Sequence, residues 1–205
     1  MVQALSRAGV TRSRKLSASD WIRAATEALV EGGVAAVAVE PLAVRLGATK
    51  GSFYHHFENR DALLRVALEE WEHSQTEAVI QRLQLIPDPR ERLRAVLAAS
   101  FTDRGGGIRD AALLTSATDP LVRPVVARVT ARRLRYLADT YGQLGMSRAR
   151  ARRRALLAYT AYLGLFEYLR AGSDGEFEEA ELRAHTLETL DTLVPTEDRR
   201  ARRRR

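Results

Sequence analysis

Apolar residues recur along this chain at three- and four-residue intervals, the spacing that lines one face of a helix. Trp21, Ile22, Ala25, Leu29 and Val30 form the first such stripe. Ser17 or Ser19 is placed to cap that helix, Asp20 lies in its first turn, and Glu31-Gly32-Gly33 ends it. Leu42 and Leu46 mark a second, short helix that stops at Gly47, where glycine accepts the left-handed turn without strain. Thr49 caps a third, with Phe53 and Phe57 as its inner stripe. From Asp61 a long helix, capped by Asn59 or Asp61, runs through Leu63, Leu64, Ala67, Leu68 and Trp71 to about Leu85.

Pro87-Asp88-Pro89 breaks the pattern. Beyond it the spacing predicts a helix through Arg92, Leu93, Val96, Leu97 and Phe101 that ends at Asp103, a loop at Arg104-Gly105-Gly106-Gly107, and a short helix over 110–117. A long helix follows from about Leu121 to Leu144, stopped by Gly145. Ser147 caps the next, Arg148 to Ala171, and a last one covers roughly Phe177 to Leu193. The fold class is therefore all-α. Its parts are a flexible basic arm (1–16), a three-helix helix-turn-helix DNA-binding domain (17–60), a helical ligand-binding and dimerisation domain (61–195) and a disordered Arg-rich tail (196–205).

The second short helix turns Lys50, Ser52, Tyr54, His55 and, at its edge, His56 outward. These are hydrogen-bond donors and aromatic surface without an acid among them, the chemistry of a major-groove reader. Adjacent residues on a helix point about 100° apart, and no third ligand is near His55-His56 in sequence, so the pair suits base or phosphate contact better than a metal.

From Ser19 to Leu64 the chain resembles the DNA-binding domain of TetR-family transcriptional repressors. The resemblance rests on Ile22 with Ala24-Ala25, Gly33, Leu42-Ala43, Gly47, Thr49-Lys50-Gly51-Ser52, Tyr54-His55-His56-Phe57, Arg60 and Leu63-Leu64. It differs from the usual pattern in having Ala38 where a threonine normally caps the second helix, Arg60 where a lysine stands, and Pro41 in a first helical turn, where a missing N–H does no harm. The resemblance implies a homodimer on a palindromic double-stranded operator, released by a small-molecule effector. Lys50, Ser52, Tyr54 and His55 are candidates for the groove. Thr49, Tyr54, His56 and Arg60 are candidates for phosphate, with Gly51 in the same turn and Arg45 on the preceding helix.

Charge sharpens this reading only locally. The net charge of +7 is uneven: residues 1–57 hold seven Lys/Arg against four Asp/Glu, residues 58–198 hold 20 against 22, and the last seven residues add six arginines. The tail reads as general arginine bias. The basic arm, with Arg7, Arg12, Arg14 and Lys15, either contacts DNA or is a terminus that does not. The absence of cysteine removes disulfides, thiolate catalysis and cysteine-ligated zinc. No nucleotide-binding or hydrolase motif is present, so an enzyme is not expected and no cofactor is implied. The Ala155–Leu169 run is too short to span a bilayer, and no secretion signal opens the chain, so the expectation is a cytoplasmic protein without a membrane partner. A non-specific architectural DNA-binding protein is the alternative, with a helical small-molecule enzyme behind it.

In the second half, apolar residues occupy every face from Ala155 to Leu169, and a helix apolar all round must be covered all round. Leu157, Ala158, Ala161, Gly164 and Leu165, with Leu187, Leu190 and Val194 of the last helix, are the candidates for a four-helix dimer interface. Phe101, Tyr136, Tyr141, Tyr159, Tyr162 and Phe166 combine apolar surface with hydroxyls, as effector pockets do. Glu167 pairs with an arginine across the dimer, meets a cationic ligand, or sits at an exposed edge.

Overall fold

The computed structural model describes residues 16–115, 118–172 and 178–195, and every regular element among them is helical. The basic arm over residues 1–15, the tail and Phe177 lie outside the described residues. In chain order the helices are α1 (Ala18–Ala36), α2 (Val39–Arg45), α3 (Lys50–Tyr54), α4 (Arg60–Glu72), α5 (Ala78–Gln84), α6 (Pro89–Thr102), α7 (Arg104–Thr115), α8 (Val122–Gln143), α9 (Arg148–Arg170) and α10 (Glu179–Leu193). A π turn, His73–Glu77, joins α4 to α5, so the long helix expected from Asp61 to Leu85 is present with one wide turn in its middle.

Local chemistry explains most boundaries. Ser17, not Ser19, caps α1: its hydroxyl accepts from the Asp20 amide while the Asp20 carboxylate accepts from Ser17, a reciprocal capping box. The helix proper breaks at Gly33, whose φ of 70° only glycine adopts easily, and one further turn runs to Ala36. Gly47, at φ 61°, ends the α2 turn as expected. Asn59 caps α4 by accepting from the Ala62 amide at 2.9 Å. Ala38 stands at the α2 N-cap with no side-chain bond, and Ser147 at the α9 N-cap likewise makes none.

The run Arg104-Gly105-Gly106-Gly107 is not the loop expected from three glycines; it is the first turn of α7. Asp103 starts that turn by accepting from the Gly106 amide at 2.8 Å. Glycine is required there by packing. A Cβ on Gly107 would stand 2.2 Å from the Phe166 ring, which lies buried against α7.

Two large apolar clusters organise the molecule. The first gathers Trp21, Leu29, Leu42, Phe53, Leu63, Leu64 and Leu68 from α1 to α4, and extends without interruption into Leu113 of α7 and Val122, Val125, Val126 and Val129 of α8. Trp21 meets Phe53 edge-on at 5.4 Å, fixing α3 against α1. The second joins α6, α8, α9 and α10 through Leu93, Leu97, Tyr141, Ala155, Ala158, Leu190 and Leu193. The boundary expected near residue 60 is thus continuous in packing: α4 and the α7–α8 corner belong to the same core as the three amino-terminal helices.

Gly107→Ala is expected to lower unfolding free energy by about 1–3 kcal/mol, because overpacking against Phe166 exceeds the roughly 1 kcal/mol helix-propensity gain. Gly142→Ala, with open space around it, is the control and should be neutral or slightly stabilising; urea denaturation of both variants checks the pair.

Candidate nucleic-acid interface and effector cavity

The polar end of α3 is displayed, not packed. Thr49 caps it by accepting from the Ser52 amide at 3.2 Å, and Phe53 anchors it in the core, so Lys50, Gly51, Tyr54 and His55 are left exposed, with Ser52 partly so. Lys50 is ion-paired with Glu40 of α2. That contact lowers the Glu40 pKa and raises that of Lys50, mainly through the shared hydrogen bond. Arg45 forms a two-pronged bond to Glu31 at 2.8 and 2.9 Å and reaches Glu27, which locks α2 against α1. Arg60 turns inward: Nε donates to the Val37 carbonyl at 2.8 Å and Nη2 to the Val34 carbonyl at 2.6 Å. It satisfies the backbone that the Gly33 break leaves open. The His56 ring meets the Leu16 carbonyl at 3.0 Å.

Further along the chain, α5 to α9 and the π turn enclose a cavity of about 170 Å³. Phe101, Tyr136, Tyr159 and Tyr162 line it, together with Arg133 of α8 and Asp110 of α7. Arg133 and Asp110 form a buried ion pair. The guanidinium also donates from Nε to Thr76 Oγ1 at 3.0 Å and from Nη2 to the Gln75 carbonyl at 3.2 Å, and it lies 5.7 Å from the centre of the Trp71 ring. Burial opposes its charge, but the charge and hydrogen bond of Asp110 outweigh that, and the Arg133 pKa is raised. The Tyr162 hydroxyl donates to Asp110 Oδ2 at 2.9 Å, and burial with the adjacent carboxylate pushes its pKa up. Tyr159 shares a hydrogen bond with Thr130.

Residues 22–67, which hold α2, α3 and most of α1 and α4, match the bacterial regulatory proteins of the tetR family. The HTH-type transcriptional regulator BetI of Stenotrophomonas maltophilia (strain R551-3) is 34% identical over 83 residues, 40% of this chain and 42% of that protein. The amino-terminal region of this chain is therefore of the tetR type. The match to BetI spans about two fifths of that relative. Beyond it the likeness is one of fold. A putative TetR-family regulator from Rhodococcus sp. superposes with a TM-score of 0.64 at 21% identity, over 87% of this chain and 98% of its own. A putative regulator from Saccharomonospora viridis, solved in complex with choline, gives 0.70 at 19% identity over 85% and 95% of the two chains.

Against this TetR fold, the residues singled out from sequence fall into two groups. Thr49, Lys50, Gly51, Ser52, Tyr54 and His55 come together on one exposed surface. Arg45, His56 and Arg60, also candidates, make the intramolecular contacts above, to Glu31 and Glu27, to the Leu16 carbonyl, and to the Val34 and Val37 carbonyls. In the cavity, Tyr141 and Phe166 are not lining residues. Tyr141 is buried in the second core and donates to the Leu193 carbonyl at 3.0 Å, while Phe166 packs on Gly107 and Ala111. Asp110, Arg133 and Thr76 were missed. The signal for Asp110 was an acid inside the apolar stretch from Ile108 to Leu114, and that for Arg133 was its place beside Arg132, about 100° further round the helix; Thr76 carried none.

On α9 and α10, Ala158, Leu190 and Val194 lie in the core of their own subunit, and Ala161 and Leu165 pack partly against it. Leu157, Gly164 and Leu187 are exposed, as is Leu156, which the sequence reading passed over. Glu167 is exposed and pairs with Arg170 one turn on. Among the described residues no group of three or more His, Cys, Asp or Glu is placed to hold a metal ion, and no helix is long and apolar enough to cross a membrane.

Arg60→Ala should destabilise the amino-terminal domain by about 1–3 kcal/mol, since two carbonyls lose charged donors. Thermal unfolding checks this; a variant that melts like the parent and only binds DNA more weakly would return Arg60 to the phosphate contacts.

Proposed function

We propose that this chain is a TetR-family, ligand-responsive repressor that binds a palindromic operator as a homodimer and leaves it when a small effector occupies the α5–α9 cavity. The observation that carries the reading is the exposed, core-anchored end of α3. In each subunit Lys50, Ser52, Tyr54 and His55 would enter a major groove, with the Thr49 turn against the backbone. Lys50 would exchange Glu40 for DNA, and an exposed pair of that kind holds it by less than about 1 kcal/mol. The work of such a protein lies in the cytoplasm.

Leu156, Leu157, Gly164 and Leu187 support the dimer, because together they make an exposed apolar strip along α9 and α10, with open space around Gly164. Two-fold symmetry then asks for half-sites about 34 Å apart or a multiple of it. The fold neighbour solved with choline supports an effector among these helices. The coupling route is short. Asp110 sits one turn before Leu113 and Leu114, which pack into the core of the DNA-binding helices, so an effector that shifts α7 also shifts α1. By linkage, operator DNA weakens effector binding by the same factor.

Titration on an operator selected from random DNA tests the surface. Lys50→Ala should weaken binding by about 1–3 kcal/mol, whereas Glu40→Gln, which frees Lys50 and removes a charge facing phosphate, should tighten it; unchanged affinity in both would remove α3 from the interface. Sedimentation tests the assembly: a dimeric parent and a monomeric Leu157→Glu variant are expected, and a monomeric parent at micromolar concentration defeats the dimer.

A further inference from the structure

The cavity has a polarity that narrows its occupant. Its charged lining consists of one cation, Arg133, and two carboxylates, Asp103 and Asp110. Asp103 is exposed and engaged by the Gly106 amide, but Asp110 is only 6% exposed. Both hydrogen bonds that Asp110 accepts, from Arg133 and from Tyr162, end on Oδ2. Among the described residues no donor reaches Oδ1, yet that oxygen is not sealed off from a water-sized group. Asp110 lines the aromatic-walled cavity, and a carboxylate oxygen without a donor there is a strong acceptor.

Arg133 does not offer the opposite. Three of its five N–H groups already donate, to Thr76, Asp110 and Gln75, and an incoming anion would meet the Asp110 carboxylate that Arg133 already holds. The available space sets the scale: about 170 Å³ is slightly more than a cavity of roughly 150 Å³ that holds benzene. A long acyl chain does not fit within it.

We propose that the effector is a small organic cation bearing at least one N–H, a protonated primary or secondary amine of about six to ten non-hydrogen atoms, whose N–H is accepted by Asp110 Oδ1. The rings of Phe101, Tyr159 and Tyr162 take its apolar body and add attraction between the ring faces and the cation. A quaternary ammonium has no proton for Oδ1 and is the poorer ligand. This inference rests on the reading of the cavity as the effector site. It also joins that site to the π turn, because a cation on Asp110 competes with Arg133 for the same carboxylate, and Arg133 holds the π turn through Gln75 and Thr76.

The test is calorimetric titration of the full chain with 2-phenylethylamine and, separately, with 2-phenylethanol, 3-phenylpropionate and N,N,N-trimethyl-2-phenylethylammonium. The amine is expected to bind about tenfold or more tightly than each of the other three, the ratio a charge-assisted hydrogen bond supplies. Asp110→Asn should weaken it by a similar factor. Because that change also takes away the countercharge of Arg133, Ser100→Phe, which fills the cavity from α6, provides a second variant and should abolish binding. Equal or tighter binding of the alcohol or the acid overturns the proposal, as does failure of phenylethylamine, benzylamine and hexylamine alike, or unchanged amine affinity in folded Ser100→Phe. Operator binding without ligand reads the regulator assignment by itself. A chain that holds its operator but no amine loses this ligand class and keeps that assignment, whereas one that binds the amine through Asp110 and still holds its operator keeps the ligand class and loses the effector role.

Discussion

A guanidinium brought into a protein interior must be compensated on every side, and Arg133 shows what that demand organises. Its partners come from two places in the chain: Asp110 of α7, and the Gln75 carbonyl and Thr76 hydroxyl of the π turn between α4 and α5. Removing either member of a buried pair costs about 3–5 kcal/mol, so α7, α8 and the α4–α5 helix are held in one relative arrangement. Two more arginines of α8 add to this along the outside, Arg128 to Glu72 and Arg132 to Glu77. The π turn fits the same need. The Gln75 carbonyl in that wide turn accepts from Arg133.

The second constraint is the continuity of the first core. Cores packed to crystal-like density do not deform gradually, and a rigid element moves as a whole or not at all. Since Leu113 of α7 and Val122 to Val129 of α8 share a core with Trp21, Phe53 and Leu64, the recognition helix is not tethered by a hinge alone. Arg45 and Arg60 strengthen this by closing α2 and the Gly33 break against α1. The consequence is a reading surface whose position is set by the helices around the cavity, while its own side chains stay free.

Much of this was legible in the residues, and the failures have physical causes. Periodicity, glycine stops and N-caps placed α1 to α4, α8 and α9 because those signals are local. The glycine run before Ile108 misled because glycine is a loop former by propensity, and only the Phe166 ring, nearly sixty residues away, requires it inside a helix. The outward set on α3 was readable since Phe53 and Phe57 fix the phase of so short a helix. The intramolecular contacts of Arg45, His56 and Arg60 were not, because they depend on tertiary neighbours such as Glu31, Leu16 and Val34. In the cavity, aromatic residues advertised themselves but Asp110 and Arg133 did not: one charge in an amphipathic helix looks solvated until its partner from another helix is known. The apolar surface of α9 is shared among α6, α7 and α8, with Leu157 left exposed. Its division between Ala158, turned inward, and Leu157, turned outward, follows from the 100° step between them.

These two constraints together argue for where a signal must pass. The cavity meets α7 at Gly106 and Asp110, and from Asp110 to Leu113 is a single turn within one helix, about 4.5 Å of rise. No loop intervenes in which a displacement could be absorbed. The alternative path, through the π turn into α4, is also continuous helix, and Arg133 links the two paths at the cavity itself. A shift of either helix therefore reaches the core beneath α3 undiminished. In the proposed dimer, whose two reading helices would have to match a spacing of about one helical repeat of DNA, small rotations of that core would move both readers off register together. On the proposed reading the buried ion pair would be more than a brace: it would be the point at which a change of charge in the cavity becomes a change of geometry under α3.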